Sequence, residues 1–431
     1  MTPVTPSFDD DERALARALH GRVDHMNESP LGFQDVSATA HGIRRRRRVA
    51  AAAGIAAAVV VLVPAVIAAG GLFDDKPAGP PVMSQSASPS QGSTPSESPT
   101  ATPELPTSQV LDVSGLVLGD GPLLAWAELD YVQGVADGGT IHGTDGTDTP
   151  LPSGSLRQLA PLGDGYVVDM GDSEGNETVY VLDRDGRTGD PYEASGGIAV
   201  SPGGNVVAWT APDGTVSAAH GETGDVLTLR AVPGPGPYRT IGVTTEDCKE
   251  GRSNDGGCTV FVTSNGRKPA AYYTTSHGIV DRLPGLMNVS ASDLRRVGGM
   301  TSVDESEPGS CSRMLQDFET ELWETCDNSL GPISPDGSLM IGLPDYLDGF
   351  GPNSMDLLDM TDGTPVRSWT SNARSATFFD EVWEDAGHVL VVTYQGGDWA
   401  MVRLGVDGSM EYAVAPVAAS DYERPFVVAL R

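Results

Sequence analysis

Side chains able to do chemistry are plentiful among the 431 residues, but their spacing assembles no known catalytic set. The single G-x-S-x-G string, Gly171 to Gly175, falls in a polar stretch, and serine lies mostly in turns and in residues 72–108, so no nucleophile elbow is expected. Neither a G-x-x-x-x-G-K-[ST] phosphate loop nor a G-x-G-x-x-G dinucleotide loop is present. His142, His220, His277 and His388 fall far apart, in expected turns or strand ends, where solvation is their ordinary state. Glycoside hydrolysis needs two carboxylates about 5–10 Å apart, and among 59 Asp and Glu no pair stands out. The run Asp183 to Asp190 alternates oxygen ligands ahead of Gly186, faintly like a calcium loop. It lacks the terminal bidentate Glu, so an ordinary turn is expected. No cofactor and no resident metal are expected, and a non-enzymatic role leads.

Two sets of residues stay in view. Cys248, Cys258, Cys311 and Cys326 allow three disulfide pairings, and sequence neighbours are favoured: Cys248 with Cys258 and Cys311 with Cys326. Each would close a small loop, a gain on the order of 2–3 kcal/mol. Spacings of 10 and 15 do not suit a zinc site, which wants paired C-x₂₋₄-C. Trp383 stands between Glu381 and Glu384 and close to Phe378 and Phe379, which makes it the tryptophan best placed for an exposed ligand contact. Trp126, Trp209, Trp323, Trp369 and Trp399 read as core packing.

The elements that must hold these residues begin with a membrane junction. Arg44, Arg45, Arg46, Arg47 and Arg48 run directly into the 23 uncharged residues Val49 to Gly71. About 20 apolar residues span a bilayer core, and clustered arginines keep their side in the cytoplasm. Residues 1–43 are therefore expected inside, with one short helix over 9–26 as a possible contact for a cytoplasmic partner. Residues 44–71 form the Arg cluster and transmembrane helix. Residues 72–108, rich in Pro, Ser and Thr, read as a disordered stalk. Residues 109–431 form the extracytoplasmic domain. Residues 1–108 hold 11 of the 59 acids and 9 of the 27 bases, which leaves 48 against 18 outside, a formal −30. A surface that negative repels phosphate backbones, so no nucleic acid is expected as a partner.

The outer domain is punctuated by Asp-Gly and Asn-Gly turns between short runs rich in Val, Leu, Tyr and Trp, the signal of hairpins. Buried strands recur as GYVVDM (165–170), NVVAWT (205–210), CTVFVT (258–263), SLMIGL (338–343) and HVLVVTY (388–394). Seven units start near residues 110, 155, 195, 236, 285, 331 and 374, at about 46 residues each, the length of a four-stranded blade. The expected fold is all-β: a β-propeller of seven blades, with six or eight blades as the alternatives. The run PFVVAL (425–430) is placed to close the ring beside LLAWAEL (123–129).

The turn Ser334-Pro335-Asp336-Gly337 before a buried strand, altered at Ser201-Pro202-Gly203-Gly204, resembles the WD40-like and TolB-like β-propeller repeats of bacteria. The resemblance covers roughly three quarters of the chain, through short motifs. No Trp-Asp dipeptide of the eukaryotic type is present. Short helix, Arg cluster, single span, stalk and ectodomain together resemble membrane-anchored proteins of high-GC Gram-positive bacteria, a plan that some anti-sigma factors share. The zinc motif of their commonest class is absent, since no Cys precedes residue 248. The resemblance implies a scaffold binding a protein, peptide or cell-wall glycan. Its rivals are a transmembrane regulator sensing through the propeller and an extracytoplasmic hydrolase or lyase.

Overall fold

A computed structural model describes residues 108–431, apart from 133, 250–256, 304–308, 346–350 and 373–374. The helix expected over 9–26, the Arg44–Arg48 cluster, the span over 49–71 and the stalk up to residue 107 lie outside these residues. Among the described residues no helix is long and apolar enough to cross a membrane.

The described residues form twenty-nine strands in chain order. β1 (Gln109–Val110) stands apart at the start. β2 (Trp126–Val132), β3 (Val135–His142) and β4 (Asp148–Pro150) belong to the first blade. The second holds β5 (Ser155–Leu162), β6 (Gly165–Gly171), β7 (Glu177–Leu182) and β8 (Tyr192–Ala194), and the third β9 (Ile198–Val200), β10 (Val206–Thr210), β11 (Val216–His220) and β12 (Val226–Leu229). Next come β13 (Tyr238–Val243), β14 (Thr259–Ser264), β15 (Ala270–Thr275) and β16 (Val280–Arg282) in the fourth blade. The fifth holds β17 (Ala291–Ser292), β18 (Arg296–Val303), β19 (Ser310–Gln316) and β20 (Thr320–Thr325). The sixth holds β21 (Asn328–Ile333), β22 (Leu339–Pro344), β23 (Ser354–Asp359) and β24 (Pro365–Thr370). In the seventh stand β25 (Thr377–Trp383), β26 (His388–Gln395), β27 (Asp398–Gly405) and β28 (Met410–Ala418), and β29 (Phe426–Val428) ends the series.

These are seven antiparallel sheets of four strands, the expected propeller. The inner strands β29, β5, β9, β13, β17, β21 and β25 touch their neighbours in cyclic order, so the ring is closed. β29 supplies the inner strand of the first blade, pairing antiparallel with β2 as Trp126↔Val428, Ala127↔Val427 and Glu128↔Phe426. Second strands such as β10 and β26 are largely apolar because a blade covers each of their faces: all five residues of β10 are buried, as are five in a row of β26. Seven apolar clusters lie between adjacent blades, one at each interface. Trp209, Trp369 and Trp399 are buried in three of them.

The segment before β2 differs from expectation. It gives the first blade no strand. β1 lies parallel to β24 as a fifth strand of the sixth blade, through Gln109↔Trp369 and Val110↔Thr370. The chain then passes along β28, where Tyr412 N–H donates to the Val117 carbonyl and Gly119 N–H to the Tyr412 carbonyl, each at 2.9 Å. A strap thus runs round the seventh blade before the first blade begins.

Candidate binding face

The turns joining first to second strands all open on one face, and their chemistry explains the recurrent Ser-Pro motif. Ser201 is fully buried. Its Oγ accepts from Val206 N–H at 3.0 Å and donates to Glu246 at 2.7 Å. The Glu246 carboxylate, from the neighbouring blade, also takes the N–H groups of Gly203 at 2.5 Å and Asn205 at 2.9 Å. Ser334 repeats the arrangement, accepting from Leu339 N–H at 2.9 Å and donating to Asp336 at 2.7 Å. The Ser334 and Ser338 hydrogen bonds hold the Asp336 carboxyl below the usual carboxylate range. The motif locks a turn and offers no free hydroxyl.

In the seventh blade Glu384 occupies the corresponding turn with no solvent exposure. Arg403 of β27 donates to it at 2.5 and 2.9 Å and also pairs with Glu411. Leu123 N–H donates to Glu384 at 2.7 Å, and Arg403 donates to the carbonyls of Asp120 at 3.2 Å and Gly121 at 3.0 Å. This buried network fastens the strap to the last blade. The Glu384 hydrogen bond raises the Arg403 guanidinium further, so it stays charged.

At the centre of the same face a cavity of about 530 Å³ opens at the channel mouth. Blades three to seven and the end of the chain contribute to it, with Val200, Ile241, Leu294, Ile333, Val382 and Leu430 among its lining. Leu294 is 59% exposed at the rim. Arg296 pairs with Asp293 at 2.5 Å, and Arg295 with Asp317 at 2.9 Å. A second cavity of about 400 Å³, over blades one to three, shares Pro202, Leu430 and Arg431 with the first. The terminal Arg431 guanidinium donates to the Glu384 carbonyl.

Trp383 borders the larger cavity, but the exposure expected of it is corrected. Its side chain is buried, its indole N–H donates to the Pro332 carbonyl at 3.0 Å, and it packs in the core between blades six and seven. The flanking acids do not mark a solvated ring. Phe378 is likewise buried, Glu384 is the ion-paired group just described, and burial followed by the Asp380 charge pushes Glu381 up to about 8. The four cysteines pair as Cys248 with Cys258 and Cys311 with Cys326, with Cα separations of 4.7 and 4.1 Å. His142, His220, His277 and His388 stand on four blades, none on an inner strand. Two of them meet carboxylates, His142 with Asp148 at 2.8 Å and His388 with Asp385 at 3.0 Å. In the Asp183 loop the carboxylate takes the N–H groups of Asp185 at 2.9 Å and Arg187 at 2.8 Å. The loop is an aspartate-capped turn whose charge is met by arginine.

Fold and site together define a closed seven-bladed β-propeller with an apolar channel mouth. No protein-family model matches the chain, and no curated protein matches it. Among solved structures it is similar to the β-propeller domain of the Trilobed protease from Pyrococcus furiosus, at 13% identity and a TM-score of 0.40, covering 62% of this chain and 85% of that one. Pyrococcus horikoshii acylaminoacyl peptidase scores 0.38 at 11% identity, covering 62% and 46%. A eukaryotic initiation factor scores 0.38 at 10% identity, covering 72% and 99%. At these scores the likenesses carry no statement about ligand or chemistry.

Proposed function

We propose that this chain is a membrane-anchored, extracytoplasmic propeller whose channel-mouth face binds a protein, peptide or cell-wall glycan. The observation that carries the reading is the cavity of about 530 Å³, where five blades and the chain's end set apolar side chains inside a rim of arginine–aspartate pairs. A concave, largely apolar site with a few fixed polar groups is the usual form of a binding pocket. Asp293, Arg295 and Arg296 are engaged in ion pairs, and Asp336 is held by Ser334 and Ser338, which favours binding over catalysis. Outer location rests on the Arg44–Arg48 junction and the apolar run after it, and two cysteine pairs suit an oxidising compartment.

A photo-crosslinking residue placed at Leu294, and separately at Tyr422 in the loop between β28 and β29, tests this in the full chain within its own envelope. Tyr422 is 85% exposed and does not line the cavity. Adducts to envelope protein, peptide or glycan are expected from Leu294 and not from Tyr422. Equal labelling at both, or none at Leu294, rejects the face. Capture of a cytoplasmic protein through residues 1–43 instead favours the transmembrane regulator.

A further inference from the structure

The outer strands of the blades are treated unequally. Those of blades one to four are short, three residues in β4, β8 and β16 and four in β12. Of the longer β24 and β28, of six and nine residues, β24 is joined by β1 at Trp369 and Thr370 and β28 is met by the strap at Tyr412. β20 of the fifth blade also has six residues, yet no described segment pairs with its outer side. Native sheets ordinarily keep their edges short, charged or covered, because an open edge is a template for another strand.

β20 has further features of a prepared edge. Leu322 is bulged out of the ladder between Glu321 and Trp323 and is 39% exposed. It borders a groove of about 360 Å³ toward the sixth blade, lined also by Gln316, Gly337, Asp359 and Met360. The Cys311–Cys326 pair ties β19 to the residue just past β20, so the edge is ordered before a partner arrives, which lowers the cost of binding. Glu319, Glu321 and Glu324 are exposed. One guanidinium, Arg313, serves two of them, Glu321 at 3.0 Å and Glu324 at 2.6 Å. Pairing with a second copy of β20 would set carboxylates against carboxylates, which disfavours self-association.

We propose that the outer edge of β20 is a strand-addition site for an extended segment of a partner protein. That segment sets basic residues opposite Glu321 and Glu324 and an apolar side chain beside Leu322. Strand addition of this kind draws affinity from the main chain and specificity from alternate side chains. β1 on β24 is the same mode made within the chain. The groove adjoins the channel-mouth cavity through Arg296, Gln316 and Gly337, but the site does not depend on what fills that cavity.

The test uses the full chain in detergent with two blocked hexapeptides, Lys-Val-Lys-Leu-Lys-Val and the same sequence with Glu for Lys. Amide exchange over residues 320–325 is expected to slow with the lysine peptide alone. Glu321→Gln with Glu324→Gln is expected to weaken that peptide by about three- to tenfold, with the melting midpoint unchanged. Leu322→Ser, at an exposed position, weakens it without altering the charge preference. Protection confined to 290–296, or equal binding of the two peptides, overturns the proposal.

Discussion

Asp169 lies in β6 with 1% of its surface exposed, and its Oδ1 has no hydrogen-bond partner. Burial, then the charge of Glu177, pushes its carboxyl from 3.8 up to about 7, against the pull of Arg157. A carboxyl whose pKa rises on folding stabilises the fold only while protonated. The unfolded chain releases the proton first, so stability falls as pH climbs from about 4 to about 7. Above that window the full cost stands, at most about 4 kcal/mol. Asp169→Asn is therefore expected to melt higher than the parent at pH 8 and about equally at pH 4. A parent that melts higher at pH 8 contradicts the assignment. Arg403→Leu strands the buried Glu384 carboxylate and is expected to cost about 3–5 kcal/mol in urea unfolding. Replacing both by Leu should cost less than replacing Arg403 alone. Little of this was legible beforehand. Glu384 and Arg403 meet only through the pairing of adjacent strands, and the acids beside Trp383 suggested exposure that its packing between blades removes.

Closure by β29 was readable because PFVVAL was an apolar run without a blade of its own, and a ring hides backbone groups that an open sheet exposes. Deleting residues 424–431 should abolish the cooperative thermal transition or cause aggregation. A chain beginning at Gly121, which lacks β1 and the strap, should keep that transition at a lower midpoint than one beginning at Gln109. If the C-terminal deletion melts like its parent, β29 does not hold the ring. β1 itself was not legible. Two residues carry no periodicity, and their place is set by the edge of β24, some 260 residues away. The fifth unit supplies none of the recurring buried strands quoted above, and its inner strand, β17, is only two residues long. Blade number survived these gaps because it rests on turns and on second strands buried on both faces.

Over the whole chain, the junction at Arg44–Arg48 makes a prediction independent of the propeller. Protease added to intact cells or spheroplasts is expected to remove residues after about 75 and leave a small N-terminal fragment protected. A protected C-terminal domain, or its release as a soluble protein, contradicts the anchor. The architecture was legible at this scale because repetition survives weak individual motifs. The binding face was not, since its cavity is assembled from five blades contributing short, dissimilar stretches. The placing of the propeller's first and last strands has a mechanical consequence. A pull delivered through the residues preceding Ser108 enters at Gln109, on the rim of the sixth blade, and is passed along the strap around the seventh. The strand that closes the ring belongs to the opposite end of the chain and lies off that line of force. Tension therefore peels β1 and then the strap before it reaches the closure, so the periphery yields while the ring stays shut.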